Sequence, residues 1–392
     1  MNWSKMDNAV KEFTVKDVLR TEVAPALGCT EPIAIALAAS AAATLLKGAP
    51  IDSIEIWVDP NIYKNGFAVV IPGTQGHNGL DLAAALGALG GVPELRLQVL
   101  ESIDDPIVDQ ARAMVRDKKV RVNLLQDRKG LFIRAVVEAA GRHAECTIRD
   151  MHDNIVSLKL DGEEVKGHPL KPDTTDPDGK TELQQVETWL KSLPLDRLIE
   201  LVDDLDEEDL QFIEEGVQYN LRLADYGLKH GSGLGIGKTL DRLVRQRMMK
   251  QDMGLAARIL TAHVKSHTGR LSAVCGCSIA AGAGATAGIT YLLGGDRHHI
   301  AGAITNLTED LAGVICDGAK AGCSLKLATA AGTAVQAALF ALQGVHVKAT
   351  DGIISTSPEK TMENVGILSN QGMIETDRTI LKIMIEKQFA DI

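Results

Sequence analysis

The stretch Ala273-Val274-Cys275-Gly276-Cys277-Ser278-Ile279-Ala280-Ala281-Gly282 combines two cysteines with a run of small residues. No charged residue occurs between Leu271 and Gly295, a length sufficient to span a membrane. The segment contains too much Gly, Ala, Ser and Thr to be strongly hydrophobic, so we predict a buried helix in a protein with no membrane role. Small residues allow neighbouring helices to approach closely, which places this segment at the centre of the predicted fold.

Helical patterns continue on both sides of this segment, from Glu182 almost to the C-terminus. Hydrophobic residues form 45% of the chain but aromatic residues only 3%, so small side chains must fill much of the core. The fold class that we predict is α+β, with a largely helical C-terminal domain. Its predicted helices cover residues 195–217, 241–264, 273–293, 300–312, 324–343 and 359–367.

The N-terminal part mixes helices and strands. Residues 14–47 are predicted to form two helices interrupted at 24–32, and residues 53–71 two strands separated by a polar turn. A short helix is predicted at 81–89, and a small α/β subdomain follows it. Its predicted elements are a strand at 97–100, a helix at 105–116 and strands at 120–125, 131–139, 143–149 and 155–160. The predicted domains are 1–96, 97–168 and 181–392.

Charge and the N-terminus exclude several classes of function. The formal net charge is −11, and nucleic-acid binding normally requires a basic face, so we predict no nucleic-acid partner. The N-terminus has no apolar secretory segment, which predicts a cytoplasmic protein. In a reducing compartment the six cysteines are expected to serve metal binding or catalysis rather than disulfides.

Four cysteines near the C-terminus form the strongest candidate site. Cys316 and Cys323, with one member of the pair Cys275 and Cys277, provide three thiolates. Three thiolates are one short of a closed site, and an open coordination position can bind substrate. The Cys-Gly-Cys spacing is too tight for both sulfurs to bind one ion in a relaxed geometry. The alternative is that these are small buried hydrophobic residues, as free cysteines often are.

Cys29 is a second candidate because it directly precedes a predicted helix that begins near Pro32. The dipole at a helix N-terminus lowers a thiol pKa, so Cys29 is predicted to be a base, a nucleophile or a ligand. Glu31 would oppose this, because a carboxylate nearby raises the pKa of a thiol. A buried small residue in a turn remains the alternative.

Two polar segments are candidates for substrate binding. The first contains Asn61, Lys64 and Asn65, and the second contains Thr74 and His77. Amide and ammonium donors of this kind can bind a carboxylate. The alternative is ordinary turn chemistry, which Asn and Gly favour without any ligand.

A glycine-rich segment at 229–239 is similar to a phosphate-binding loop but lacks its first glycine, because Ser232 occupies that position. No parallel-sheet strand is predicted before it. We therefore predict a helix connector, with His230 near the site, rather than a nucleotide-binding loop.

Several of these segments together resemble a known family. The N-terminal signatures are Pro25–Pro32 (PALGCTEP), Tyr63–Gly66 (YKNG) and Ile71–Thr74 (IPGT), and the C-terminal ones are Ile315–Cys323 (ICDGAKAGC) and Asp351–Ile354 (DGII). Nearly the whole chain resembles the iron–sulfur L-cysteine desulfidases and their uncharacterised relatives. This family is related to the α part of iron–sulfur L-serine dehydratases.

The resemblance implies a [4Fe–4S] cluster held by three cysteines, with one iron open to substrate. It assigns Cys316 and Cys323 as ligands, with Cys275 as the third and Cys277 as the alternative. Cys29 corresponds to the cysteine proposed as acid or base. Relatives often read Gly-Ser-Gly-Asn-Gln-Gly around Cys275, and this chain departs from that pattern.

The implied reaction is β-elimination of hydrogen sulfide from L-cysteine, giving pyruvate and ammonia. Lys64 is then predicted to be catalytic, with Asn61, Asn65, Thr74 and His77 as substrate-binding residues. L-Serine dehydration by the same mechanism is the first alternative. A non-catalytic protein that senses amino acids or redox state is the second, and a relative that has lost its cluster is the third. A small amino acid is the predicted partner, and a homodimer is plausible.

Overall fold

The computed structural model describes residues 12–171 except 24, 25 and 27, residues 182–230, residues 235, 238, 239, 242, 245 and 246, and residues 273–390. The two larger hydrophobic cores of these residues lie beneath a β-sheet in the N-terminal part and between helices in the C-terminal part. The fold is mixed α+β, as the sequence predicts. The segment predicted as a helix at 241–264 lies almost wholly outside the described residues.

A six-stranded sheet organises the N-terminal part, in the order β2-β1-β3-β4-β5-β6. Its strands from β1 to β6 are Ile51–Val58, Val120–Leu124, Phe132–Ala139, Arg142–Arg149, Ile155–Leu160 and Glu163–Glu164. β1 pairs in parallel with β2, with Ile56 opposite Val122, and the other pairs are antiparallel. Ile54, Ile56 and Val58 are buried, which confirms the alternation read from the sequence.

The N-terminal part also contains helices, some of which pack against this sheet. In chain order, α1 to α5 are Val15–Glu22, Thr30–Thr44, Pro60–Gly66, Leu80–Gly90 and Asp105–Arg116. Of these, α2 and α4 pack against the sheet. α2 is buried along most of its length and packs against α4 and the sheet. At Gly87 an added Cβ would lie 2.1 Å from the carbonyl oxygen of Ala36, so only glycine permits this close crossing of α2 and α4. Helix α5 has the bounds that the sequence predicts.

The prediction of two strands in residues 53–71 is wrong in its second half. The polar segment after β1 is the helix α3, and residues 67–71 contribute only an isolated bridge between Val70 and Asn78. Asp59 caps α3, because its Oδ1 accepts hydrogen bonds from the backbone N–H groups of Asn61 (2.8 Å) and Ile62 (3.3 Å). Pro60 follows at the first helical position, where its fixed φ favours the helix.

The strand predicted at 97–100 is also wrong, because residues Pro93–Gln98 form a 3₁₀ segment with a sharp bend at Arg96, whose φ is +51°. The remaining strands predicted in the α/β subdomain are confirmed as β2 to β5. β1 precedes residue 97 and yet belongs to the same sheet and core as those strands. The domain boundaries stay a prediction, and the sheet crosses the first of them.

The C-terminal part is helical. Among the described residues, its helices α6 to α13 are Glu182–Ser192, Leu195–Asp203, Glu207–His230, Gly276–Leu292, Arg297–Leu311, Cys323–Leu342, Pro358–Ile367 and Ile374–Ala390. The prediction of a single helix at 195–217 is wrong, because a short non-helical segment separates α7 from α8. Helices α9, α10 and α11 pack against one another. Gly282 faces Leu307 across the contact between α9 and α10, where an added Cβ would approach Leu307 to 3.2 Å.

One helix among the described residues, α11, is long and apolar enough to cross a membrane by length and composition. It packs against α9 and α10, and its alanines 330, 334, 337 and 338 are buried there. Core helices of soluble domains meet the same test, so a single helix of this kind is weak evidence for a membrane span. The uncharged stretch singled out in the sequence forms α9, as predicted.

Candidate active site

Two short backbone segments bring Cys275 and Cys316 together. Val274 and Ile315 form an antiparallel bridge. The N–H of Cys275 donates to the carbonyl of Val314 over 2.8 Å, and the N–H of Cys316 donates to the carbonyl of Ala273 over 2.8 Å. These two hydrogen bonds fix both cysteines on neighbouring segments, although 41 positions separate their numbers in the chain. Cys275 is also the N-cap residue of α9.

The loop from Cys316 to Cys323 carries the third predicted ligand back to the same place. Cys323 is the first residue of α11, and its Sγ lies 3.5 Å from the carbonyl oxygen of Gly318. Gly318 has a φ of +91°, and an added Cβ there would lie 2.5 Å from the carbonyl oxygen of Lys64. The loop therefore packs directly on α3, at a position that only glycine accommodates.

The thiols at this site differ in their protonation. A hydrogen bond from Cys277 is the main cause that lowers the pKa of Cys275 to about 5, and Ser278 and Lys326 act in the same direction. The Ser278 hydroxyl lies 3.3 Å from Cys275 Sγ. The pKa of Cys277 is raised by the same hydrogen bond and by burial. Burial also raises the pKa of Cys316, although the Lys64 ammonium opposes that effect.

Lysines and a carboxylate surround the cysteines, and the sequence reasoning missed them. Lys320 and Lys326 both contact Asp317, with N–O distances of 2.5 Å. Burial would raise the pKa of Asp317, but the hydrogen bonds from the two lysines hold it down at about 2. Lys326 also donates to the carbonyl of Ile315 over 2.8 Å. The spacing of Asp317, Lys320 and Lys326 around Cys316 and Cys323 was the available signal.

Helix α3 faces the cysteine loop with Lys64 and Asn65. Lys64 is only 2% exposed, and its Nζ lies 2.7 Å from Asp377 Oδ1 on α13. Asn65 Oδ1 is 3.8 Å from Cys316 Sγ. Asn61 lies one turn earlier on the same short helix. The structure thus brings Lys64 and Asn65 next to the cysteines, and Asp377 is a partner that the sequence did not reveal.

Thr74 and His77 lie in a turn between α3 and α4. The Thr74 hydroxyl is 2.6 Å from the carbonyl oxygen of Ile71 and 3.0 Å from that of His77, so its hydrogen bond lies inside the turn. An added Cβ on Gly28 would lie 2.9 Å from Pro72 Cγ, which places the turn beside Cys29. The binding roles of Thr74 and His77 stay predictions.

Cys29 does not have the lowered pKa expected from its position at the start of α2. Its Sγ lies 2.7 Å from Glu31 Oε2. Burial and the negative charge of Glu31 raise the pKa of the thiol well above its ordinary value. Burial is the larger cause, and the carboxylate two residues away, which the sequence indicates as an opposing effect, acts in the same direction.

Glu31 is itself buried and faces His152, in the turn between β4 and β5. Glu31 Oε1 lies 4.0 Å from His152 Nε2, and the two side chains are 6% and 15% exposed. Burial lowers the pKa of His152. Glu31 also contacts the end of α3, since an added Cβ on Gly66 would lie 3.4 Å from Glu31 Cβ. Helix α3 thus lies between Glu31 and the cysteine loop.

These side chains are not arranged to bind a single metal ion. Within the described residues, no three His, Cys, Asp or Glu side chains are placed to hold one ion together. All six cysteines are free thiols. In a cluster each cysteine binds a different iron, so the sulfurs need not converge on one point. His263 and His267, near Cys275 in the sequence, lie outside the described residues.

Comparisons with known proteins identify the family of this chain. Residues 250–382 match the family model described as serine dehydratase alpha chain, a range that includes Cys275, Cys277, Cys316 and Cys323. A UPF0597 protein of Desulfatibacillum aliphaticivorans is 54% identical, with 96% of this chain and 99% of the relative aligned. A UPF0597 protein of Desulfotalea psychrophila is 51% identical over the same shares, and one of Clostridioides difficile is 34% identical over 96% and 100%.

Identity at this level over nearly the full length of both chains establishes common descent. The serine dehydratase match covers the C-terminal part that carries the cysteine loop, and it points to a lyase-like enzyme. The chain belongs to the UPF0597 family, which is related to the α part of iron–sulfur serine dehydratases.

Proposed function

We propose that this protein is a [4Fe–4S]-dependent lyase that converts L-cysteine to pyruvate, ammonia and hydrogen sulfide. The observation that carries the proposal is the pairing of Val274 with Ile315, which places Cys275 beside Cys316 within the region that matches serine dehydratases. A protein that used these cysteines only as core residues would not need Lys64, Lys320 and Lys326 around them.

The residues at the site fit a cluster by their chemistry. Cys275, Cys316 and Cys323 would hold it, with Cys277 as an additional thiol beside Cys275. Thiolates are the ligands that iron–sulfur clusters require. The lowered pKa of Cys275 favours its thiolate, and Lys326 contributes to that lowering. When bound, a cluster with an open iron would supply a Lewis acid for the departing sulfur or oxygen.

Lys64, Asn61 and Asn65 are proposed to bind the substrate carboxylate. An ammonium has three donors, and among the described residues only Asp377 takes one of those on Lys64, which leaves two for a substrate. The salt bridge also fixes the direction of the side chain before substrate arrives. A buried ammonium near Cys316 is then positioned to hold a carboxylate next to the cysteines.

Cys29 is proposed to handle the Cα proton. At neutral pH its thiol keeps its proton, because burial and Glu31 raise its pKa. The thiol therefore needs a partner that accepts its proton while it takes another from the substrate.

Because reduced thiols persist in the cytoplasm, we propose that the protein acts there.

L-Serine is the second candidate substrate, because the matching family model is that of a serine dehydratase. Cysteine and serine differ only in the β-atom, and a soft sulfur leaving group suits iron better than oxygen does.

The test is pyruvate release by protein prepared and reconstituted without oxygen. The proposal expects kcat/KM for cysteine to exceed that for serine, and the reverse order would assign the protein as a serine dehydratase. No pyruvate from either substrate, with the cluster intact, would contradict the lyase and favour a sensing protein.

A further inference from the structure

Cys29, Glu31 and His152 form a line of three titratable side chains on the N-terminal side of the site. Cys29 Sγ is 2.7 Å from one carboxylate oxygen of Glu31, and His152 Nε2 is 4.0 Å from the other. Cys29 and Glu31 come from the start of α2, whereas His152 comes from a turn more than a hundred residues later. The fold therefore assembles the three from distant parts of the chain.

His152 lacks the partner that a buried imidazole normally has. Within the described part of the chain, its Nε2 is buried and no hydrogen-bond partner lies in reach. Buried polar atoms are nearly always hydrogen-bonded, so this atom requires an explanation. The charged groups around it are Glu31 and Asp153. His152 Nε2 lies 4.0 Å from Glu31 Oε1, which is beyond hydrogen-bond distance, so the imidazole stands beside the carboxylate without a bond to it.

The geometry points to Glu31 as the proton acceptor of the elimination, reached through the Cys29 thiol at Oε2, with His152 flanking the other carboxylate oxygen, Oε1. This inference rests on the proposed function. Glu31 and His152 act through Cys29 and do not need to touch the substrate. His152 is accordingly a positioning residue for Glu31.

The proton transfer balances without an additional reactant. The Cα proton moves to Cys29 Sγ as the original thiol proton moves to Glu31 Oε2. The electron pair of the Cα–H bond forms the Cα=Cβ double bond, and the β-substituent leaves with the pair of its own bond to Cβ. The proton on Glu31 then passes back through Cys29 to the departing hydrosulfide, which leaves as hydrogen sulfide. A free Cys29 thiolate is never required, which agrees with a thiol that holds its proton tightly.

The first test measures the contact between Cys29 and Glu31 without any turnover. Alkylation of Cys29 by iodoacetamide is followed across pH by peptide mass spectrometry in wild type, Glu31→Gln and Glu94→Gln. Glu94 is an exposed glutamate on the 3₁₀ segment and serves as the matched control. The inference expects Glu31→Gln to shift the alkylation midpoint to lower pH, because the negative charge beside the thiol is removed. An unchanged profile would overturn it.

The second test measures the proton transfer itself in reconstituted enzyme. Glu31→Gln keeps the shape of the side chain but does not accept a proton. The expected result is a kcat lower by about 10²–10⁴-fold, the range for general acid–base groups, with KM nearly unchanged. The isotope effect on kcat with α-deuterated cysteine is also expected to rise. Glu31→Gln that turns over at the wild-type rate overturns the inference alone, whereas a wild type that makes no pyruvate overturns the proposed function with it.

His152→Gln provides an independent check if Glu31→Gln does not fold. The expected result is a kcat about tenfold lower with an unchanged alkylation profile of Cys29, because His152 flanks Glu31 Oε1 whereas the Cys29 thiol contacts Oε2. A His152→Gln enzyme with wild-type kcat would overturn the role of His152.

Discussion

The thiols on the two sides of α3 have opposite surroundings. Cys29 faces the carboxylate of Glu31 and keeps its proton, whereas Cys275 receives hydrogen bonds from Cys277 and Ser278, lies near Lys326, and loses its proton easily. The residue type is the same, so burial and the neighbouring groups decide whether each thiol keeps its proton. A protonated thiol suits proton transfer, and a thiolate suits iron. The comparison separates a proposed proton-handling side from a proposed ligand side within one site.

The largest expected effect is on the ligand side. Cys316→Ala removes a proposed ligand and is expected to abolish iron binding. Loss of Lewis-acid stabilisation of several kcal/mol corresponds to a fall in kcat of about 10³-fold or more. The measurement is iron content and pyruvate release after reconstitution.

The matched control for that variant is Cys146→Ala. Cys146 is a fully buried free cysteine on β4, in the N-terminal core and away from the cysteine loop. Its replacement should leave the iron content unchanged. Equal iron content in Cys316→Ala and Cys146→Ala would contradict the proposal that Cys316 binds iron, and with it the distinction between the ligand side and the proton-handling side.

A pH dependence of stability is expected from Asp59, the cap of α3. Burial raises the pKa of Asp59 to about 6 even though backbone N–H groups oppose the shift. The folded state then keeps a proton that the unfolded chain has lost, so stability is highest below about pH 4 and falls as pH rises towards 6. The shift corresponds to a change on the order of 3 kcal/mol.

Denaturant unfolding between pH 4 and 7 measures this slope, and Asp59→Asn is expected to remove it, because an amide does not titrate. A slope that persists in Asp59→Asn would assign the effect to another group.

Lys64→Met is expected to raise KM by about ten- to a hundredfold. This range corresponds to the loss of one charged hydrogen bond to the substrate carboxylate, worth about 1.5–3 kcal/mol. Lys382→Met on α13 is the control, because Lys382 is exposed and lies on the same helix as the salt-bridge partner Asp377. An unchanged KM in Lys64→Met would contradict the substrate-binding role of Lys64. Its role would then be the structural one of connecting α3 with α13.

The smallest expected effect concerns the contact that joins the two sides. Gly318→Ala places a Cβ 2.5 Å from the Lys64 carbonyl in a backbone conformation with positive φ. The expected cost is about 1–2 kcal/mol of folding stability, measured by denaturant unfolding. Gly130→Ala is the control, because Gly130 also has positive φ but meets no atom within 4 Å. Equal losses in both variants would show that the contact with α3 contributes nothing.

Alternation and spacing in the sequence predicted much of the fold. Ile54, Ile56 and Val58 identified β1, and Asp105–Arg116 was predicted with its observed bounds. Residues 60–66 were wrongly predicted to be a turn. Whether they form a helix depends on Asp59, which caps the following N–H groups, and not on a hydrophobic period. Arg96 could not be predicted, since a single residue with positive φ leaves no periodic signal.

The sequence predicted which residues belong to the candidate site, but not how they are arranged in space. The cysteines and Lys64 were visible from their spacing and family resemblance. Asp377 and His152 were missed, because Lys64 and Asp377 are 313 positions apart and His152 lies in a turn with no motif of its own. The pKa of Cys29 was also misjudged, since burial adds to the effect of Glu31 and burial is a property of the folded chain.

The content of iron and acid-labile sulfide in protein prepared and reconstituted without oxygen tests the central claim most directly. The account predicts about four irons and four sulfides per chain, as a [4Fe–4S] cluster requires, with a visible absorption band that Cys316→Ala lacks. A chain that takes up no iron, or one that binds a single zinc ion, would contradict the cluster and the lyase mechanism built on it.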